Sequence, residues 1–143
     1  IAGNKAAVDR AMELCKAKGA KRALPLAVSV PSHCALMKPA AERFAAAVNA
    51  IEWQAPQIPV VQNVTAAIAP DLEALKRDLL AQLYQPVRWV ECVQALAANG
   101  AVHLVECGPG KVLAGLNKRC ADGVTTYNLN TPDAVAATRA ALA

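Results

Sequence analysis

The chain has 143 residues and a mass of 14.9 kDa, so it fits one domain of ordinary size that can bury a core. Hydrophobic residues make up 55% of the sequence and charged residues 18%, which excludes a disordered chain. The net charge is +4, but no run of Lys and Arg residues is longer than two and aromatic residues make up only 3% of the sequence, so a nucleic-acid-binding surface is not predicted. A phosphorylated or acidic partner fits this mild positive charge better.

The cysteine pattern predicts reduced thiols in a cytoplasmic protein. The five cysteines include no C-x-x-C pair and have no regular spacing, which argues against a zinc site and against a disulfide framework. No apolar run approaches the ~18 residues that a membrane span requires, and the N-terminus has no signal-peptide architecture. We therefore predict no membrane association.

The first predicted element is a helix from Lys5 to Lys18. Its apolar residues recur at helical spacing, Asn4 precedes it as a plausible N-cap, and Gly19 follows it in the usual C′ position. A strand is predicted next, from Lys21 to Val28, with Pro25 at an edge or an irregularity because proline cannot donate to a sheet ladder.

The middle of the chain predicts three helices and one short strand. An Ala-rich helix spans Pro39 to Ile51, and a strand spans Pro56 to Val64. An amphipathic helix begins at Pro70-Asp71 and is broken at Pro86. The helical period resumes from Val87 to Ala98.

The C-terminal part predicts strands and helices in alternation. A strand from Ala101 to Glu106 leads through a Gly-Pro-Gly turn into a helix from Val112 to Arg119. A strand from Val124 to Leu129 follows, and Thr131 caps a final helix. Alternation of this kind predicts an α/β fold with a mostly parallel sheet flanked by helices.

The loop around His33 is the first candidate site. An apolar run stops at Pro31, and Ser32, His33 and Cys34 follow at once. A histidine on the loop after a strand is where α/β proteins often keep acid-base groups, but a loop histidine with a solvent or carbonyl partner remains the plainer alternative. A cysteine-histidine hydrolase using Cys34 is disfavoured, because adjacent side chains rarely face one another.

The other possible sites are weaker. His103 lies inside an apolar strand, which predicts a half-buried structural side chain. Gly108 and Gly110 match neither the Rossmann spacing nor a P-loop, so they predict a tight turn with close helix–sheet contact. The sequence has no metal-ligand cluster, no usable pair of carboxylates and no G-x-S-x-G nucleophile elbow.

Three stretches together resemble one family. They are Val28–Met37, Gln82–Trp89 and Glu106–Leu113, which closely resemble segments in the C-terminal half of bacterial malonyl-CoA:acyl carrier protein transacylases. The similarity runs from Ile1 to about Leu129. The resemblance implies an α/β fold made of the C-terminal part of an α/β-hydrolase-like acyltransferase core with a remnant of a ferredoxin-like small subdomain. Residues 1–27 would be that remnant and residues 28–143 would belong to the hydrolase-like subdomain.

The resemblance also implies an activity and its residues. The family moves a malonyl group from coenzyme A to the phosphopantetheine thiol of acyl carrier protein through an acyl-serine, which supplies fatty acid synthesis. His33 matches the catalytic base, the main-chain carbonyl of Gln82 matches the group that orients it, and Ser32 matches a position lining the acyl pocket. The coenzyme A thioester is a substrate, and no cofactor or metal is expected.

The resemblance predicts a fragment. The family's nucleophilic serine, its carboxylate-binding arginine and its oxyanion-hole glutamine belong to the N-terminal half, and none of them is in this sequence. We therefore expect the chain to need a missing N-terminal half as well as malonyl-CoA and acyl carrier protein as partners. A non-catalytic fragment or a carrier-protein-binding module is the alternative.

Overall fold

The computed structural model describes all of residues 1–143 and contains six α-helices, one 3-10 helix and two β-strands. The helices are α1 (Lys5–Ala17), α2 (Lys38–Ala50), α3 (Leu72–Ala81), α4 (Trp89–Ala98), α5 (Val112–Asn117) and α6 (Pro132–Leu142), the 3-10 helix is Ala35–Met37, and the strands are β1 (His103–Glu106) and β2 (Thr125–Asn128).

The helices begin within two residues of the predicted positions, but α3 ends at Ala81, before the predicted break at Pro86. The predicted N-cap Asn4 makes no side-chain capping hydrogen bond, whereas two other caps do. The Asp71 carboxylate accepts a hydrogen bond from the main-chain N–H of Ala74 at 2.7 Å at the start of α3. The Thr131 hydroxyl accepts one from Ala134 at 3.2 Å at the start of α6. Both contacts satisfy one of the main-chain donors that a helix N-terminus leaves free.

The two strands form a small parallel sheet. His103 pairs with Thr125 and Glu106 with Asn128, and α5 connects β1 to β2. A helical crossover is what two parallel strands require, since a tight hairpin cannot join them. The α/β alternation predicted for the C-terminal part is therefore confirmed.

The other two predicted strands do not form. Residues 21–28 form no strand and are exposed apart from Ala23, and the only bridge near residues 56–64 is an isolated antiparallel pair between Val61 and Ile68. A strand needs a neighbour to satisfy its main-chain groups; residues 21–28 form no bridge, and residues 56–64 have only the isolated pairing of Val61 with Ile68. The sheet therefore has two strands, fewer than the alternating pattern predicts.

The buried core is small for a chain of this size. Only 11 of 143 residues are buried, and the exposed surface is 10234 Å². A compact monomer of this mass exposes about 7,000 Å², so the excess is roughly 3,000 Å². Large apolar side chains contribute to it, including Leu26 at 82% exposure and Ile58 at 78%. Each strand is also paired on one side only, so both are edge strands.

No helix is both long and apolar enough to cross a membrane.

All five cysteines are free thiols that differ in exposure, and Cys34 is intermediate. Cys92 and Cys120 are buried, whereas Cys15 and Cys107 are exposed. Burial raises the pKa of the Cys92 thiol, and the negative charge of Glu91 raises it further. Because the thiolate is the reactive form, Cys92 is both shielded and chemically quiet.

Iodoacetamide is therefore expected to modify Cys15 and Cys107 first and Cys92 at least roughly tenfold more slowly. The measurement is a time course of peptide mass spectrometry on the folded chain, with the same reaction in urea as the control. Equal rates for Cys92 and Cys15 in the folded chain would contradict the described packing.

Candidate active site around His33

The loop that carries His33 has an unusual backbone. His33 has a φ of 62°, which lies in the left-handed region that non-glycine residues seldom adopt. Such a conformation costs of order 1–3 kcal/mol and persists only where surrounding contacts hold it. Here the main-chain N–H of His33 donates a hydrogen bond to the carbonyl of Leu83 at 2.9 Å. The strained residue is thus tied to a segment 50 positions further along the chain.

The imidazole ring is held by two main-chain carbonyls. Nδ1 of His33 lies 2.9 Å from the Gln82 carbonyl oxygen and 3.2 Å from that of Gln85. Because a carbonyl oxygen only accepts hydrogen bonds, Nδ1 must be the donor. The neutral ring therefore carries its proton on Nδ1 and leaves the lone pair of Nε2 available, which is the tautomer that a general base needs. The contact between His33 and Gln82 expected from the family resemblance is present.

These carbonyls are available because a helix ends there. Helix α3 ends at Ala81, and the last carbonyls of a helix have no partner within it. Pro86 prevents the helix from continuing. The carbonyls of Gln82, Leu83 and Gln85 are consequently left for His33 to use. Carbonyls at a helix C-terminus also stabilise a positive charge placed against them, as on a ring that has taken up a proton.

A second layer of contacts lies behind the turn of residues 82–85. The Asn63 side-chain amide donates to the side-chain oxygen of Gln82 at 3.2 Å. The main-chain N–H of Arg88 donates to the Asn63 carbonyl at 2.9 Å, and its guanidinium donates to the Thr65 carbonyl at 3.0 Å. The same guanidinium makes two hydrogen bonds of 2.7 Å with the Glu91 carboxylate and lowers its pKa below the ordinary value.

Sequence reasoning missed Asn63 altogether. The sequence pattern places Asn63 at the end of a predicted strand and indicates no role for Arg88 beyond its place in the Gln82–Trp89 motif. A signal for Arg88 was available, since a glutamate three residues later on a helix is a common ion-pair spacing. No comparable signal points to Asn63, because its partner is 19 residues away.

Two further expectations concern residues beside His33. Ser32 is partly exposed, directly precedes His33 and makes no side-chain hydrogen bond. Its placement in an acyl pocket stays a prediction. The Cys34 thiol donates to the Pro31 carbonyl at 3.1 Å and does not bind the imidazole. A cysteine-histidine pair is therefore absent.

The expectation for His103 needs a correction. It is exposed on β1 instead of half-buried, and its ring packs at 5.7 Å from the ring of Tyr127 on β2. His103 is the first residue of β1, and only this end of the strand is exposed, since the three residues that follow are partly buried. The ring contact joins the two strands, and a structural role for His103 stays a prediction.

The glycine turn also differs from expectation. Neither Gly108 nor Gly110 has a positive φ, and a Cβ atom at Gly108 would meet nothing within 4 Å. The expected close helix–sheet approach is wrong in this chain, since a Cβ atom at Gly110 would meet only the side chain of Glu106, at 3.9 Å. Its carboxylate accepts the main-chain N–H of Ala114 at 2.7 Å and so caps α5. No group of three or more His, Cys, Asp or Glu residues could hold a metal ion.

The chain is similar in structure to solved acyltransferases that act on acyl carrier protein. It superposes on the malonyl-CoA:acyl carrier protein transacylase of Xanthomonas oryzae pv. oryzae with a TM-score of 0.93 and 48% identity, covering 97% of this chain and 44% of that one. It also superposes on a malonyl-transacylase solved in complex with its type II PKS acyl-carrier protein, with a TM-score of 0.89 and 51% identity over 94% of this chain and 43% of that one.

Curated proteins with similar sequences give the same result. The chain is 55% identical over 137 residues to the malonyl CoA-acyl carrier protein transacylase of Salmonella typhimurium, covering 96% of this chain and 44% of the relative. It is 42% identical over 131 residues to that of Staphylococcus aureus, covering 92% and 42%. No protein-family model matches the chain. The chain is thus homologous to the C-terminal part of malonyl CoA-acyl carrier protein transacylases and spans less than half of their length.

Proposed function

We propose that this chain supplies the general base of a malonyl-CoA:acyl carrier protein transacylase, with His33 as the catalytic residue. The observation that carries the proposal is the His33 ring, whose Nδ1 donates to the carbonyls of Gln82 and Gln85 and whose Nε2 is free to take a proton. The homology to transacylases over nearly the whole chain supplies the reaction.

The proposed reaction has two proton transfers through Nε2. A serine from the N-terminal part of the enzyme loses its proton to Nε2 and attacks the malonyl thioester, and the coenzyme A thiolate leaves with that proton. The thiol of acyl carrier protein then loses its proton to Nε2 and attacks the acyl-serine, whose oxygen is reprotonated from the ring. The Gln82 carbonyl takes the orienting role of the aspartate in a Ser-His-Asp triad. Unlike an aspartate, it adds no negative charge beside the malonyl carboxylate.

The proposed domain assignment keeps residues 1–27 as the remnant of a ferredoxin-like small subdomain and residues 28–143 as the hydrolase-like part. Helix α1 contributes no buried residue, which supports its separation from the rest of the chain. The excess surface, with its exposed apolar side chains, is the area that an N-terminal half would cover.

The partners in this proposal are malonyl-CoA, acyl carrier protein and the N-terminal half of the same enzyme, in the cytoplasm. The net charge of +4 lies entirely in residues 1–22, where six Lys and Arg residues accompany two acidic ones, whereas the remaining charges balance. A positive segment of this kind attracts an acidic carrier protein. Coenzyme A enters as a thioester substrate, so the proposal involves no cofactor.

The test is malonyl transfer by the complete enzyme, in which this chain follows the N-terminal part that its relatives have. Radiolabelled malonyl-CoA is expected to label the enzyme first, in the absence of acyl carrier protein, and the carrier protein after its addition. A folded complete protein that binds acyl carrier protein but transfers no label would contradict the proposal and favour the carrier-binding module.

Replacing Ser32 by phenylalanine is expected to change acyl selectivity more than the turnover of malonyl-CoA. A misfit of methylene size in a pocket changes discrimination by only about 1–3 kcal/mol, and the phenyl ring would alter the space directly beside His33. The measurement compares kcat/KM for malonyl-CoA and methylmalonyl-CoA, with Ser29→Phe as the matched control. Parallel losses for both substrates would remove Ser32 from the pocket.

A further inference from the structure

Asn63 joins three parts of the chain behind the His33 site. Its side-chain amide donates to the side-chain oxygen of Gln82 at 3.2 Å. Its main-chain carbonyl accepts the N–H of Arg88 at 2.9 Å, at the start of α4. Asn63 is partly buried, so water competes less for these contacts than at an open surface.

The loop that carries Asn63 is itself well held. The main-chain N–H of Gln62 donates to the Ala67 carbonyl at 2.9 Å, and that of Ala66 donates back to Gln62 at 2.8 Å. Val61 and Ile68 form a bridge just outside these contacts. These contacts hold the loop in place, so Asn63 can restrain the Gln82 side chain that it binds.

The contact falls on the residue whose carbonyl holds the catalytic ring. Gln82 follows the last residue of α3, where helices fray and main-chain carbonyls reorient easily. A hydrogen bond on the Gln82 side chain limits the rotation of the whole residue, including the carbonyl that lies 2.9 Å from Nδ1 of His33.

We propose that Asn63 is a positioning residue for His33, acting through the side-chain amide of Gln82. The inference rests on the proposed function of His33 as general base. It adds that the Gln82 side chain helps to aim the main-chain carbonyl, which still orients the ring when the side chain is removed.

Removing either end of this contact should lower kcat by roughly three- to tenfold, which is the loss expected for one hydrogen bond in a polar network. KM should stay nearly unchanged, because neither side chain touches the substrate in the proposed mechanism. The two effects should not add, because both variants break the same contact.

The experiment is a double-mutant cycle in the complete enzyme with Asn63→Ala, Gln82→Ala and the double variant. The control is Asn49→Ala, which removes an exposed asparagine side chain that makes no hydrogen bond. Steady-state kinetics give kcat and KM. Nitrogen-15 spectra of labelled histidine report the position and order of the Nδ1 proton of His33, which a merely structural role would not move.

The inference is supported if the single and double variants lose kcat to the same extent and the His33 signals broaden or shift toward the other tautomer. It is overturned if the losses add, or if the His33 signals match those of the unmodified enzyme. If Asn63→Ala does not fold, Gln82→Ala tests the same contact from the other side. An active His33→Ala variant would defeat the proposed function, while the spectra would still decide whether Asn63 positions the ring.

Discussion

Replacing His33 by alanine in the complete enzyme is expected to lower kcat about 10²–10⁴-fold, the range typical of general-base catalysis. The loss is large because Nε2 of this ring serves both proton transfers of the proposed reaction. Nothing else on the 82–85 turn can replace it, since the groups that face the ring are main-chain carbonyls, which only accept hydrogen bonds. The measurement is steady-state malonyl transfer, together with single-turnover labelling of the enzyme.

Two variants act as controls for this result. Gln82→Ala should cost no more than about tenfold, because its carbonyl belongs to the main chain and survives the change. His103→Ala removes the only other histidine of the chain, which packs on Tyr127 across the sheet, and should leave kcat close to that of the unmodified enzyme. A Gln82→Ala defect as deep as that of His33→Ala would mean that the side chain, and not the carbonyl, is the essential group.

The 143-residue chain by itself is expected to show no malonyl transfer at all. Its only serines are Ser29 and Ser32, and neither lies in a G-x-S-x-G turn. Ser32 directly precedes His33, so the two side chains are poorly placed for proton transfer between them. Addition or co-expression of the N-terminal part should restore transfer, and the binding of a hydrophobic dye should fall as the exposed apolar surface is covered.

The control for this experiment is the chain with Ser32→Ala, combined with the same N-terminal part. It should recover transfer as well as the unmodified chain does, because the nucleophile is supplied by the other half. Malonylated acyl carrier protein produced by the purified chain alone would contradict the prediction, as would dye binding that does not change when activity returns.

The sequence alone determined the helices, because their signals are local. An Asp or Thr before an amphipathic stretch and a Gly or Pro after it lie within a few residues of the hydrogen bonds that they make or prevent. The bounds of α1, α2, α4 and α5 agree with the prediction to within two residues, as do the starts of α3 and α6. The motifs around His33, Gln82 and Gly108 were likewise sufficient for the family, which the homologues confirm.

The tertiary structure decided which apolar segments become strands and how His33 is held. Strand formation depends on a neighbour, so residues 103–106 and 125–128 pair, whereas most of residues 21–28 lie exposed without a strand partner. The second carbonyl on the ring, from Gln85, and the contact of Asn63 with Gln82 join residues 52 and 19 positions apart. Sequence spacing cannot predict contacts between residues so far apart in the chain, because these contacts depend on how α3 and the neighbouring loops pack.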